Sequence, residues 1–126
     1  NCGVGASDLL RTVLGFSETD NDRPIIAKGN AGIPKYVDGH IHYDGTPELM
    51  AEYAILARNS GAAIIGGCCG TMPEHLRAMR KALDNTPKGE KPSHEMITSV
   101  LGAFSSDHDG TGDAPVTKPR RNRRRG

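Results

Sequence analysis

The chain contains 126 residues, with 16 Lys or Arg and 15 Asp or Glu residues and a formal net charge of +1. Residues 1–102 carry 10 Lys or Arg against 12 Asp or Glu, so this part has no excess of positive charge for nucleic-acid binding, and no apolar run approaches the roughly 18 residues of a membrane span. The three cysteines form no evident disulfide framework, which is typical of a reducing compartment and predicts a cytoplasmic protein.

The first predicted helix is capped by Ser7 and ends at Gly15. Its apolar residues recur on one face, as in a helix that packs against a core: Leu9, Leu10, Val13 and Leu14. A buried strand is predicted next over residues 24–27, because proline is tolerated at the first position of a strand. A long glycine-containing loop over residues 28–42 follows, and such loops usually carry functional residues.

Thr46 caps the second predicted helix, which has Pro47 in its first turn and ends at Gly61. Its broad apolar face comprises Leu49, Met50, Tyr53, Ala54, Leu56 and Ala57. The short apolar run that follows, over residues 62–65, is bounded by glycines. A run of this kind is typical of a buried parallel strand.

The third predicted helix begins with a capping box made by Thr71 and Glu74. Its inward-facing residues are predicted to be Leu76, Met79 and Leu83. A fourth, short helix is predicted over residues 93–101. The alternation of helices and strands along the chain predicts an α/β fold built from parallel βα units.

Two adjacent cysteines, Cys68 and Cys69, follow the predicted strand within the sequence Gly-Gly-Cys-Cys-Gly-Thr of residues 66–71. The carboxyl ends of parallel strands are where ligands and catalytic groups collect in α/β proteins. A disulfide between neighbours would be strained, because their Cα atoms lie about 3.8 Å apart and disulfides usually need roughly 4.4–6.8 Å. Two alternatives remain, a pair of buried structural thiols and a pair of metal ligands.

Cys2 is the third cysteine, and it too precedes a predicted helix and, by its position, follows a strand. Three thiolates from two strand ends would supply three ligands of a tetrahedral zinc site and leave the fourth position open, as in catalytic zinc sites. Sulfur ligands favour zinc over magnesium or calcium. A zinc site formed by Cys2, Cys68 and Cys69 is therefore the hypothesis that we prefer for these residues.

A second candidate metal group lies in and after the predicted loop. His40 and His42 are two residues apart, so on a strand they would face the same side, and Asp44 follows two residues later. Isolated histidine pairs are more often solvated or hydrogen-bonded than metal-bound, so we rank this group below the cysteines. Tyr36 and Tyr43 offer aromatic faces of the kind that bind quaternary ammonium groups, although simple packing is the commoner role of a loop tyrosine.

The segment Asn-Cys-Gly of residues 1–3, followed about two βα units later by Gly-Gly-Cys-Cys-Gly-Thr, resembles the paired motif of the homocysteine S-methyltransferase family. The resemblance covers about residues 1–85. Within the family, residues 28–35 and the loop over residues 36–46 are most similar to bacterial betaine–homocysteine S-methyltransferases. The resemblance implies a (β/α)8 TIM barrel, of which this chain would form the C-terminal portion.

The reaction implied by the resemblance moves a methyl group from betaine to the thiol of homocysteine, forming methionine and dimethylglycine. The implied zinc ligands are Cys2, Cys68 and Cys69, and zinc converts a coordinating thiol into a nucleophilic thiolate. Asn30 is implied to lie near the bound amino acid. The same zinc–thiolate chemistry with S-methylmethionine or methyltetrahydrofolate as donor is an alternative, and a structural zinc-binding or redox thiol module is another.

A complete (β/α)8 barrel needs about 250 residues, and the chain lacks an initiator Met, so we expect the C-terminal part of a longer enzyme. We assign residues 1–102 to the homocysteine-binding barrel domain and residues 103–126, with their Arg-rich end, to a disordered basic tail. Homocysteine and betaine are the expected partners, with no nucleic acid and no membrane, although a basic run by itself can attract nucleic acid. The sequence leaves open whether the protein forms a homo-oligomer.

Overall fold

The computed structural model of the chain describes residues 3–19, 22–32 and 35–105, which form four helices and two small sheets. In chain order the elements are α1 (Ala6–Glu18), β1 (Ile25–Gly29), β2 (Lys35–Val37), β3 (His40–His42), α2 (Pro47–Ser60), β4 (Ala62–Gly67), α3 (Pro73–Asn85) and α4 (His94–Leu101). None of these helices is long and apolar enough to cross a membrane. The predicted mixture of helices with a parallel sheet is confirmed.

Strands β1 and β4 form a parallel pair, and the chain passes from one to the other through α2. Their register places Gly29, the last residue of β1, opposite Gly67, the last residue of β4. Both strands reach two residues further than the predicted spans 24–27 and 62–65. Because both carboxyl ends lie at the same edge of the sheet, the loops that follow them begin side by side.

The hydrophobic core lies on one face of this parallel sheet, between the strands and the helices. Ala27 of β1 is fully buried, whereas its neighbour Ile26 is 57% exposed and Ile64, opposite Ile26 in register, is 55% exposed. The second face of the sheet, which carries Ile26, Ile64 and Lys28, is therefore open and largely apolar in the described part of the chain. The largest fully buried side chains are those of Tyr53, Leu10, Met50, Ile97 and Val13.

Helix α1 has the predicted apolar face but not the predicted boundaries. It begins at Ala6, with Gly5 at the N-cap, and continues past Gly15 to Glu18. Burial of its apolar face outweighs the roughly 1 kcal/mol that a glycine costs inside a helix, so Gly15 does not end it. The residues of this face are all buried, as predicted: Leu9, Leu10, Val13 and Leu14.

Part of the predicted loop over residues 28–42 is a β-hairpin. Strands β2 and β3 pair antiparallel, with Tyr36 opposite Ile41. The turn between them is formed by Asp38 and Gly39, whose φ angles are 50° and 80°. An Asp-Gly pair with two positive φ angles is among the favoured two-residue hairpin turns. The sequence thus carries a local signal for this hairpin, which the prediction of an unbroken loop misses.

Helix α2 begins and ends as predicted. The Thr46 hydroxyl accepts the Leu49 N–H over 3.1 Å, and Gly61, with a φ of 112°, occupies the left-handed position after the last turn. Helix α4 lies within the predicted span, and the Ser93 hydroxyl caps it by accepting the Met96 N–H over 3.2 Å. These ends are predictable because each cap and the turn that it bonds are neighbours in the sequence.

The start of helix α3 differs from its prediction. The helix begins at Pro73 with Met72 at the N-cap, so Thr71 and Glu74 do not form the predicted capping box. His75 takes the capping role instead, because its Nδ1 accepts the Met72 N–H over 3.0 Å. A histidine in this role satisfies one of the backbone donors that every helix start leaves unpaired.

The inward face of α3 is only partly as predicted. Met79 is buried and Leu83 packs against the core, but Leu76 is 49% exposed, so its predicted inward position is wrong. His75 is buried in its place. The His75 ring forms a hydrogen bond to Gly45, outside the helix, and this contact satisfies the buried ring at the start of α3. An apolar pattern does not reveal such a contact.

Residues 102–105 follow α4 and lie against α1. The Ser105 N–H donates to the Asp8 carboxylate over 3.1 Å, and the Arg11 guanidinium lies 4.3 Å from the centre of the Phe104 ring. These contacts connect the region after α4 to the first turns of α1. Most of the predicted basic tail, residues 106–126, lies outside the described residues.

Candidate functional site

The loops that follow β1 and β4 are joined by three hydrogen bonds at the carboxyl edge of the parallel sheet. The Cys68 N–H donates to the Gly29 carbonyl over 2.9 Å, and the Ala31 N–H donates to the Cys69 carbonyl over 2.9 Å. The Asn30 Oδ1 atom accepts the Cys69 N–H over 3.1 Å. The backbone of the cysteine pair is therefore held by three consecutive residues, the last residue of β1 and the two that follow it.

Asn30 connects this pair to the segment that follows Cys2. Its backbone N–H donates to the Val4 carbonyl over 3.0 Å, while its side chain accepts from Cys69. Asn30 is only 4% exposed. Because both its backbone and its side chain are hydrogen-bonded, this buried residue connects the two segments rigidly. The predicted contact of Asn30 with the substrate stays a prediction.

The two described cysteines are accessible in different degrees. Cys69 is exposed, whereas Cys68 is half-buried. Cys68 and Lys28 line a cavity of about 440 Å³ whose remaining walls come mostly from apolar residues of α1 and β1. Cys69 can therefore be reached from the carboxyl edge of the sheet, and Cys68 can be reached from the open face.

Cys2, the third predicted zinc ligand, lies outside the described residues. Within residues 3–19, 22–32 and 35–105, no group of three or more His, Cys, Asp or Glu side chains is placed to hold a metal ion. The donor chemistry nevertheless fits zinc, because two adjacent, accessible thiols lie at a strand end. The chain two residues after Cys2 is bonded to the loop that holds these thiols. The ligand set of Cys2, Cys68 and Cys69 stays a prediction.

Two glycines around the cysteine pair are required by close packing. A side chain at Gly67 would collide with that of Thr71, and a side chain at Gly70 would collide with the ring of Tyr43. Gly70 also has a φ of 77°, which L-residues with a side chain rarely adopt. The Thr71 hydroxyl is buried and has no hydrogen-bond partner among the described residues. Steric demand thus explains two of the glycines in the hexapeptide.

Tyr53, which the sequence identifies only as part of an apolar face, bonds to both strands near the site. Its buried hydroxyl accepts the Gly29 N–H over 3.3 Å and donates to the Gly66 carbonyl over 3.4 Å. Burial raises the pKa of Tyr53 to about 12, so the phenol keeps its proton near neutral pH. Tyr53 therefore stabilises the pairing of β1 and β4 just before the cysteines.

The described residues do not form a metal site from His40, His42 and Asp44. His40 and His42 are both exposed on β3, and Asp44 forms an ion pair with Lys35, with 2.9 Å between Oδ2 and Nζ. The hydrogen bond from Lys35 lowers the pKa of Asp44. Tyr36 of β2, a candidate for donor binding, is 77% exposed.

Comparison with known proteins agrees with the motif. Residues 1–83 match the family model described as homocysteine S-methyltransferase. Methionine synthase of Mycobacterium leprae is 29% identical over 107 residues, which cover 84% of this chain and 9% of the relative. Methionine synthase of Mycobacterium tuberculosis is 30% identical over 103 residues, which cover 80% of this chain and 9% of the relative. The chain thus spans about a tenth of the length of these relatives. It belongs to the homocysteine S-methyltransferase family.

Proposed function

We propose that this chain supplies the zinc-binding part of an enzyme that transfers a methyl group to the sulfur of homocysteine and so forms methionine. The observation that carries the proposal is the connection made by Asn30, which bonds Cys69 on one side and Val4, two residues after Cys2, on the other. Membership of the family and the similarity to two methionine synthases support the same reaction.

We propose further that residues 1–102 form part of a (β/α)8 barrel. Two features support this: β1 and β4 are parallel neighbours with helices on one face, and the other face presents exposed Ile26 and Ile64. In a barrel, inward-pointing branched side chains of this kind fill the interior. Further βα units of the same polypeptide would cover them, because a complete barrel needs about 250 residues.

The resemblance to the family implies a bound zinc ion, and Cys2, Cys68 and Cys69 are the residues that would hold it here. When bound, zinc supplies Lewis acidity that favours the thiolate form of a coordinating thiol. The chain's own contribution is to orient the ligands. Asn30 accepts the Cys69 N–H and Ala31 donates to the Cys69 carbonyl, so the main chain that carries the sulfur atom is held on both sides of its Cα atom.

Betaine is the methyl donor that we propose. Its quaternary ammonium group would be attracted to a site with several thiolates. Its leaving group would be a neutral amine, so the reaction needs no general acid. S-methylmethionine and methyltetrahydrofolate remain the alternative donors, with the same role for the cysteines.

The test measures methionine formation from homocysteine by the complete natural polypeptide. Betaine, S-methylmethionine and methyltetrahydrofolate are supplied in parallel, each with and without a zinc chelator. We expect betaine-dependent turnover that the chelator abolishes. Turnover with another donor would correct the donor alone, whereas bound zinc without turnover on any donor would favour a structural zinc site.

The zinc ligands are tested separately by measuring the zinc content of single Cys→Ser variants. We expect each of Cys2→Ser, Cys68→Ser and Cys69→Ser to lose retained zinc, because a site with two thiolates binds the metal far more weakly. Tight zinc binding by all three variants would refute the ligand assignment. Ser7→Ala, a change on α1 outside the ligand set, is the control and should keep its zinc.

We also propose a cytoplasmic location, supported by the presence of only three cysteines with no evident disulfide framework. Size-exclusion chromatography with light scattering on the complete polypeptide would decide the oligomeric state. Fractionation of cells that express the protein would test the location.

A further inference from the structure

His75 is buried in α3 although the adjacent Leu76 is 49% exposed. Both nitrogens of the His75 ring are used. Nδ1 accepts the Met72 N–H over 3.0 Å, and Nε2 lies 2.8 Å from the carbonyl oxygen of Gly45. Because Nδ1 is an acceptor, the neutral ring carries its proton on Nε2, which donates to Gly45.

Two further hydrogen bonds connect Gly45 to the cysteine pair. The Gly45 N–H donates to the Ala31 carbonyl over 2.9 Å, and the Ala31 N–H donates to the Cys69 carbonyl over 2.9 Å. This path is tightly packed, since Ala31 is fully buried and a side chain at Gly45 would collide with the Ala31 backbone. A displacement of Gly45 would therefore shift the tightly packed Ala31, whose N–H holds the Cys69 carbonyl.

At its other nitrogen, His75 holds Met72, which lies three residues after Cys69. The loop over residues 68–72 is thus fixed from two directions, at Cys69 through Ala31 and at Met72 through His75. These hydrogen bonds and the chain between Cys69 and Met72 form a closed ring. The His75 side chain contributes two of the bonds.

We propose that His75 is a positioning residue for the cysteine pair. Its bond to Gly45 sets the place of the Cys69 main chain and so the direction of the Cys68 and Cys69 sulfur atoms. Residues that orient metal ligands from behind commonly matter almost as much as the ligands. The inference rests on the proposed function, because the direction of the sulfur atoms matters only if they bind a ligand together.

Two amide substitutions separate this role from simple capping of α3. His75→Asn puts an amide oxygen near the place of Nδ1, so it keeps the acceptor for Met72 and loses the donor to Gly45. His75→Gln puts an amide nitrogen near the place of Nε2, so it keeps the donor to Gly45 and loses the acceptor for Met72. Met72 is 54% exposed and its hydrogen bond to His75 is only partly buried, so we expect water to replace that acceptor.

The experiment uses the complete natural polypeptide and two measurements. The first is the zinc Kd, measured by competition with a chelator. The second is deuterium exchange in the metal-free protein, over peptides that contain residues 29–32 and 68–72. We expect His75→Asn to weaken zinc binding about 10-fold and to speed exchange in both peptides, whereas His75→Gln stays close to the wild type. His94→Asn, at the exposed start of α4 and outside both candidate metal groups, is the control and should change neither quantity.

Wild-type zinc affinity and exchange in His75→Asn would overturn the inference. A loss confined to His75→Gln would also overturn it, because only the cap of α3 would then matter. Equal losses in both variants would do the same, since they would reflect general damage to packing. A wild-type protein that binds no zinc would overturn the proposed function together with this inference, which distinguishes the two failures.

Discussion

Replacing Tyr53 with Phe removes one hydroxyl that joins the two parallel strands and leaves the ring in place. The hydroxyl bonds the Gly29 N–H at 3.3 Å and the Gly66 carbonyl at 3.4 Å. A buried polar group that loses its partner costs about 1–3 kcal/mol. Both contacts are longer than the usual hydrogen-bond distance of roughly 2.7–3.2 Å, so we expect a loss of about 1–2 kcal/mol in the free energy of unfolding.

Equilibrium unfolding in urea at neutral pH measures this loss on the complete natural polypeptide. We expect a lower midpoint and an unchanged slope, because the substitution alters neither the core volume nor the area exposed on unfolding. Tyr36→Phe is the matched control, since Tyr36 is 77% exposed and should change stability by no more than about 0.5 kcal/mol. If Tyr53→Phe unfolds at the wild-type midpoint, the bond between the strands contributes nothing and our account of Tyr53 is refuted.

Three further predictions follow from the same geometry. Burial raises the pKa of Tyr53 from 10.0 to about 12, so its contribution to stability is complete below pH 10 and decreases as the pH rises towards 12. The difference in stability between wild type and Tyr53→Phe should shrink over that range in urea titrations, and a constant difference would contradict the pKa. Gly70→Ala forces a side chain onto a φ of 77° and should lower the melting temperature through a loss of at least ~1–2 kcal/mol. Gly15→Ala, in open space within α1, should instead stabilise by about 0.5–1 kcal/mol, and equal effects of the two would be contrary to expectation. Asn30→Ala removes a buried acceptor and should lower the free energy of unfolding by about 1–2 kcal/mol. Asn59→Ala, which removes an exposed acceptor, should lower it by less than about 0.5 kcal/mol. Similar urea midpoints for both variants would argue against a structural role of Asn30.

The sequence predicts the elements whose signals are local. Helix α2 is the clearest case, because Thr46 at its start and Gly61 at its end act on residues within one turn of themselves. The parallel pairing of β1 and β4 also follows from sequence, since apolar runs that alternate with helices have few other arrangements. The hairpin over β2 and β3 also has a local signal, because Asp38 and Gly39 are a residue pair that favours a two-residue hairpin turn.

The hydrogen bonds that hold the candidate site, by contrast, have no local signal in the sequence. The motif identifies Cys68 and Cys69, and the strand before them predicts correctly that they lie at the carboxyl edge of the sheet. It does not identify the bonds that hold them, because the partners are far away in the chain. Asn30 bonds Cys69 across 39 residues, and Tyr53 bonds Gly29 across 24. No periodicity or local motif connects residues at such separations.

By itself, the sequence determined the family, the cysteine pair, and most of the helices and strands, because these depend on a specific motif and on short-range periodicity and capping. Only the tertiary structure decided that His75, and not Leu76, turns inward near the start of α3. The prediction that Leu76 faces the core fails because the buried His75 ring finds a backbone acceptor at Gly45, 30 residues earlier. A polar side chain is stable inside a protein only when its partner is already there, and that partner is supplied by the fold.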